Sequence, residues 1–182
     1  MTTVDVLHAG YTGERVGSTI VLVRDGDATI VVDPGLVRTR SLILDPLTVR
    51  GVAPEAVTHV FVSHHHLDHT LNIALFPNAE VIDFESRYRD DQWLDHDGDG
   101  YRISPRATVW QTPGHTEQDA SLIVEADDGL YAMTHCWWHT DQTPEIDPFC
   151  RDPAVLARSR QRILDAADVV VPGHGEPFRL RP

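Results

Sequence analysis

Residues 63–69 read "SHHHLDH" and follow directly on the apolar run "THVFV". Residues two apart on an extended chain project to the same side, so His64 and His66 can close on one cation while His65 points away. Asp68 and His69 come after the chain turns and can hold a second. Neutral imidazole with carboxylate suits zinc, with iron or manganese as other occupants. Two more histidines stand in a different local setting: "TPGH" ends in His115 and "VPGH" ends in His174, each closing a β-branched run. In both turns glycine lets the backbone bend sharply enough to aim the imidazole back across the strand ends.

Working outward, "STIVLVRDGDATIVVDPG" holds two β-branched runs split by Asp25-Gly26-Asp27, a hairpin pattern closed by the turn at Pro34-Gly35. "LVRTRSLILDPLTV" is loosely helical up to Gly51, with Pro46 as a defect. "THVFVSHHH" reads as a buried strand, "AEVID" as another, and residues 83–105 as mostly a surface loop. "ATVWQTPGH", "ASLIVEADDGLYAMTH" and "DVVVPGHG" repeat one theme, a strand that ends in histidine. "DPAVLARSRQRILDAAD" has Asp152 as N-cap, Pro153 at the first helical position, and apolar spacing at Val155, Leu156, Ile163, Leu164 and Ala167. Two groups of strands, each followed by helical pattern, predict two packed sheets with helices outside and ligand groups converging at one edge.

The 182 residues, 41% hydrophobic, suffice for one sizeable core, so a single domain over 1–182 is expected. No stretch approaches the roughly 20 apolar residues of a membrane span, and the first residues lack the pattern of a signal peptide, so a cytoplasmic protein is expected. Cys136 and Cys150, the only cysteines, are expected as free thiols. Twenty-eight acidic residues against 15 basic ones give a net charge of −13, and all 15 are arginine. Such an acidic surface repels phosphate backbones, which makes a small-molecule partner the expectation rather than nucleic acid. Without lysine, a substrate carboxylate has to be gripped by arginine or by a metal.

In this order and spacing, "VVDPG" with Asp33, "SHHHLDH", "TPGHT" and "VVPGHG" resemble the motif series of the metallo-β-lactamase-fold hydrolase superfamily. The resemblance implies an α/β protein, an αβ/βα four-layer sandwich with metals at the open edge between the sheets. Carried over by position, it implies His64, His66 and His115 around a first metal, and Asp68, His69 and His174 around a second. Asp33 matches an aspartate that supports the ligands from behind, a role compatible with closing its own turn.

One position departs from the pattern. Where the family places Gly-Asp with a carboxylate bridging both metals, this chain reads "YAMTHCWWHTD", with Thr134-His135 in that place. Neutral imidazole has a single free lone pair and binds one cation. His135 is therefore expected to ligate one metal, the alternatives being a mononuclear site or Asp141 swinging in. Cys136 reads as a small buried hydrophobe, one of Trp137 and Trp138 as a pocket wall, and His139 as solvent-facing. The acidic "DHDGDG" has Arg106 where a calcium loop needs glutamate, so it reads as a hairpin turn. Glu117 and Asp119 read as ligand-orienting or exposed residues, and His8 and His59 as structural or surface ones. No nucleophile elbow, phosphate loop or dinucleotide fingerprint occurs.

The function expected is that of a hydrolase using one or two cations, zinc above all, in which a metal-bound hydroxide oriented by Asp68 attacks an ester, thioester, lactone or phosphodiester. A metal-binding member without turnover, redox or ligand-binding, is the alternative that His135 keeps open.

Overall fold

The computed structural model describes residues 1–140 and 146–180. A first sheet is built from β1 (Thr2–His8), β2 (Ile20–Asp25), β3 (Ala28–Val32), β4 (His59–Phe61), β5 (Glu80–Ile82), β6 (Ser86–Arg89) and β7 (Gln92–Asp95), in that order across the sheet. The second consists of β8 (Arg102–Ser104), β9 (Ala107–Gln111), β10 (Ala120–Ala126), β11 (Gly129–Thr134), β12 (Val169–Pro172) and β13 (Phe178–Arg179), ordered β13-β12-β11-β10-β9-β8. Three α-helices complete the described chain: α1 (Ser41–Val49), α2 (Leu67–Thr70) and α3 (Pro153–Ala166).

Alternation along the strands sorts side chains into layers. Val21, Val23, Ile30 and Val32 face Val109, Leu122, Val124 and Met133 of the second sheet in a core between the sheets. Their neighbours Ile20, Leu22 and Val31 point the other way, against Ile43 and Leu47 of α1. On the far side Leu156 and Ile163 of α3 cover Ile123, Ala132 and Val170. The result is helix, sheet, sheet, helix, the predicted αβ/βα sandwich. Each large aliphatic chain buried this way contributes roughly 1.5–3 kcal/mol.

Helix α3 starts as expected, with Asp152 Oδ1 accepting from the amides of Ala154 (2.9 Å) and Val155 (3.3 Å). Leu164, in contrast, lies on its outer face, 40% exposed. The expected surface loop over 83–105 is corrected: it contains β6, β7 and β8, and β6 and β7 form an antiparallel hairpin. Asp90 and Asp91 both take positive φ (50° and 58°), so they make the tight turn normally written Asn-Gly or Asp-Gly. "DHDGDG" is a turn, as read, pinned by Arg162 on both oxygens of Asp99.

The parallel strands decide where function can sit. β3, β4 and β5 run parallel, as do β11 and β12, and the carboxyl ends of β3, β4, β11 and β12 meet at one edge. Backbone bonds from Thr19 to Gly173 (2.8 Å) and from Ala120 to Ser63 (2.8 Å) clasp the two sheets there.

Candidate metal centre

Six imidazoles and a carboxylate converge on that edge. His64 follows β4, His66 leads into α2, and Asp68 and His69 lie within α2. His115 comes from the turn after β9, His135 directly follows β11, and His174 follows β12. Among the described residues their ligand atoms form three overlapping groups, each with its atoms within 4.8 Å of one another: His64, His66 and His115; Asp68, His69 and His174; and His64, His69 and His135. The structure thus brings together all seven residues singled out in the sequence, and places His135 between the other two groups.

Four of the imidazoles are held from behind through Nδ1. Asp33 Oδ2 lies 2.9 Å from His69 Nδ1, Asp147 Oδ2 lies 2.8 Å from His115 Nδ1, the Gly17 carbonyl lies 2.9 Å from His174 Nδ1, and Ser63 Oγ lies 3.1 Å from His64 Nδ1. An acceptor at Nδ1 fixes the proton there and turns the Nε2 lone pair inward. Asp33 is itself anchored by the amide and hydroxyl of Ser63, both at 2.7 Å, and takes a positive φ of 48°. It therefore closes its turn and supports a donor at once.

The inward atoms face one another. His64 Nε2 and His115 Nε2 lie 3.0 and 3.2 Å from His66 Nδ1, and His135 Nε2 lies 3.1 Å from His174 Nε2. Asp68 Oδ2 lies 3.5 Å from His69 Nε2 and 3.7 Å from His174 Nε2. His69 Nε2 is fully buried and makes no hydrogen bond. Burial, together with the charge of neighbouring imidazoles, pushes His64 and His135 far below the ordinary histidine range and His174 down to about 4. Ring nitrogens turned toward each other, and a buried one that makes no hydrogen bond, are a donor set suited to divalent cations.

His135 differs from the others in one respect. Its Nδ1 is buried and has no partner, so nothing holds its ring from behind. Its position depends instead on Gly173, where any Cβ would meet the His135 ring at 2.3 Å. Asp141, the other carboxylate considered for this place, lies outside the described residues.

Trp138, not Trp137, lines the pocket. Its indole Nε1 donates to Asp147 Oδ2 (2.8 Å), while Trp137 packs with Phe178 beneath α3. A cleft of about 370 Å³ opens over the donors, walled by Val16, Leu67, Asp68, Trp138 and Phe149. Asp147 and Ser63 were not read as site residues; Asp147 stands 32 residues from its histidine, with no local motif to reveal it. Two expectations are corrected. His139 is half-buried rather than solvent-facing, with Nε2 2.7 Å from Thr12 Oγ1. Asp119 is buried, accepts from the amide and hydroxyl of Thr116, and is pushed up to about 6 by burial, whereas Glu117 is exposed. Cys136 is buried, its thiol pushed up to about 12, and both cysteines are free.

A helix-sheet-sheet-helix sandwich with this motif series at its edge defines a class, and the chain belongs to the Metallo-beta-lactamase superfamily, matching it over residues 13–174. The chain is similar to Metallo-beta-lactamase domain-containing protein 1 of Homo sapiens, 37% identical over 158 residues covering 83% of this chain and 59% of that protein. It thus spans less than two thirds of that relative's length. A more distant likeness is to an N-acyl homoserine lactonase of Bacillus cereus, 25% identical over 146 residues, 68% of this chain and 58% of that one. A solved metallo-beta-lactamase family protein from Thermus thermophilus superposes with a TM-score of 0.71 at 17% identity, covering 98% of this chain and 75% of that one. Among the described residues no helix is long and apolar enough to cross a membrane.

Proposed function

We propose that this protein is a cytoplasmic metal-dependent hydrolase that cleaves a small-molecule ester, thioester, lactone or phosphodiester, with zinc as its metal. The observation that carries the proposal is the convergence of six imidazoles around Asp68, backed by Asp33, Ser63, Asp147 and the Gly17 carbonyl. His64, His66 and His115 would hold a first cation, and Asp68, His69 and His174 a second. His135, whose Nε2 lies 3.1 Å from His174 Nε2 and which groups with His64 and His69, would ligate a single cation. Membership of a superfamily with a lactonase among this chain's relatives supports hydrolysis.

A divalent cation in such a site lowers the pKa of water and polarises a carbonyl or phosphoryl oxygen. The chain's own groups do the rest. Asp68, whose side chain is 17% exposed, is the carboxylate that meets the cleft, so it orients the attacking water and accepts its proton. Trp138 and Phe149, stacked at 6.3 Å, form an aromatic wall of the cleft beside the donors.

The test is metal analysis of the purified protein together with chromogenic esters, thioesters, lactones and phosphodiesters. At least about one bound cation per chain and turnover of one of these classes, both lost on chelation and restored by zinc, is the expected result. Full metal content with no turnover supports instead a ligand-binding member whose chemistry changed with His135. Absence of both metal and turnover overturns the proposal.

A further inference from the structure

Arginine is this chain's only basic side chain apart from histidine, and acid outnumbers it 28 to 15. A counter-ion is therefore close at hand for most arginines. Arg24 and Arg50 share Asp5, while Arg87, Arg89, Arg106, Arg151, Arg162 and Arg179 each pair with an acid. Arg15, Arg38 and Arg158 make no side-chain hydrogen bond or ion pair among the described residues. Two of these three, Arg15 and Arg38, line one cleft of about 510 Å³, where they outnumber its single acid, Glu14.

That cleft adjoins the metal edge, because Val16 walls both. Both of its sides are fixed to the donors. One is the 11–17 loop, closed by Tyr11 and Gly17 exchanging backbone bonds of 2.9 and 3.0 Å, and Gly17 in turn accepts from His174 Nδ1. Arg15 stands two residues before that anchor. The other is the segment after β3, where the Leu36 amide donates to the Asp68 carbonyl at 3.1 Å, and Arg38 stands two residues beyond. Gly35 allows that approach, since any Cβ there would collide with the Asp68 backbone. The backbone on both sides of the cleft is thus tied to the edge that carries Asp68, His69 and His174, and Arg15 and Arg38 stand exposed on it.

We infer that this cleft is the subsite for an anionic group of the substrate, a carboxylate or phosphate remote from the bond that breaks, gripped by Arg15 and Arg38. A guanidinium binds either anion through two parallel N–H donors, and an unpaired one has no internal partner to give up. Only the meaning of the anion as a substrate group rests on the hydrolase reading. The binding itself is testable without turnover.

Arginine Nε–Hε signals in nitrogen-15 NMR, assigned with Arg15→Gln, Arg38→Gln and Arg158→Gln, are followed while the purified protein is titrated with glutaramate, which carries one carboxylate and no labile ester. Saturable shifts at Arg15 and Arg38 but not at Arg158 are expected; no saturable shift, or equal shifts at all three, overturns the inference. In parallel, kcat/KM is compared for 4-nitrophenyl hemiglutarate and neutral 4-nitrophenyl pentanoate. Arg15→Gln/Arg38→Gln lowers the anionic-to-neutral ratio by roughly 10-fold, the scale of losing a charge-assisted hydrogen bond, mostly through KM. Arg158→Gln leaves the ratio in place, and a double variant that does the same overturns the assignment. Shifts at the two arginines with no turnover of any ester, thioester, lactone or phosphodiester retain the anion subsite and sink the hydrolase reading.

Discussion

Asp25 and Asp33 stand at opposite ends of the β2–β3 hairpin, both buried and both bonded to three donors, yet the two ends do different work. Asp25 accepts from Thr2 Oγ1 (2.8 Å), Ser104 Oγ (2.7 Å) and the Arg106 amide (2.8 Å), which ties the first sheet to the second. Each of those donors is complete once bonded to Asp25. Asp33 accepts from Ser63 twice and from His69, and there the chain of bonds continues: His69 passes from Asp33 to an Nε2 with no partner. The same residue type therefore makes a closed staple at one end and, at the other, a support for a ring nitrogen whose lone pair makes no hydrogen bond. A network with all its polar atoms satisfied stabilises, whereas one left open at a buried atom is built to receive something.

Four substitutions probe that contrast. The largest effect is expected for His69→Ala, which removes a side chain shared by two of the three donor groups; metal affinity, measured by competition with a chelator, falls by more than about 100-fold. Asp33→Asn keeps the imidazole and loses the carboxylate behind it, so affinity drops by roughly 10–100-fold. Asp25→Asn leaves metal affinity unchanged but costs about 1–3 kcal/mol in urea unfolding. If Asp25→Asn weakens metal binding as much as Asp33→Asn does, the two ends are not distinct. Ser104→Ala, with one neutral donor lost from the Asp25 staple, costs about 1 kcal/mol.

The Asp25 effect has a defined pH dependence. Burial raises its pKa, but hydrogen bonds from Ser104, the Arg106 amide and Thr2 outweigh burial and leave it below the usual carboxylate value. A lowered folded pKa means stability that is present above the unfolded value, near pH 4, and lost as pH falls through the folded one. The stability gap between the protein and Asp25→Asn should therefore be constant at neutral pH and close below about pH 4. A gap that widens on acidification would contradict this sign.

What was legible in the sequence was local. The spacing of "SHHHLDH" and the two Pro-Gly-His turns give their geometry within a few residues, and the N-cap at Asp152 with Pro153 marks α3 in the same way. The β6–β7 hairpin was misread because its turn is Asp90-Asp91, two non-glycine residues at positive φ, in a stretch whose strands are too polar to show alternation. Asp147 and Ser63 escaped notice because their roles come from tertiary contact. His139 and Asp119 looked solvent-facing, or as well exposed as not, since a polar residue after a turn carries no sign of what later folds over it. His135 was legible as a departure, but not that it would be the donor with nothing behind its Nδ1.

The central claim is that the edge where β3, β4, β11 and β12 end is a metal centre. Crystals of the zinc-loaded protein, with anomalous difference maps recorded on both sides of the zinc absorption edge, test it most directly. The account predicts zinc-specific peaks within ligand distance of His64, His66 and His115 and of Asp68, His69 and His174, with His135 Nε2 contacting one peak only. Zinc-loaded crystals with no anomalous peak among these side chains would contradict it.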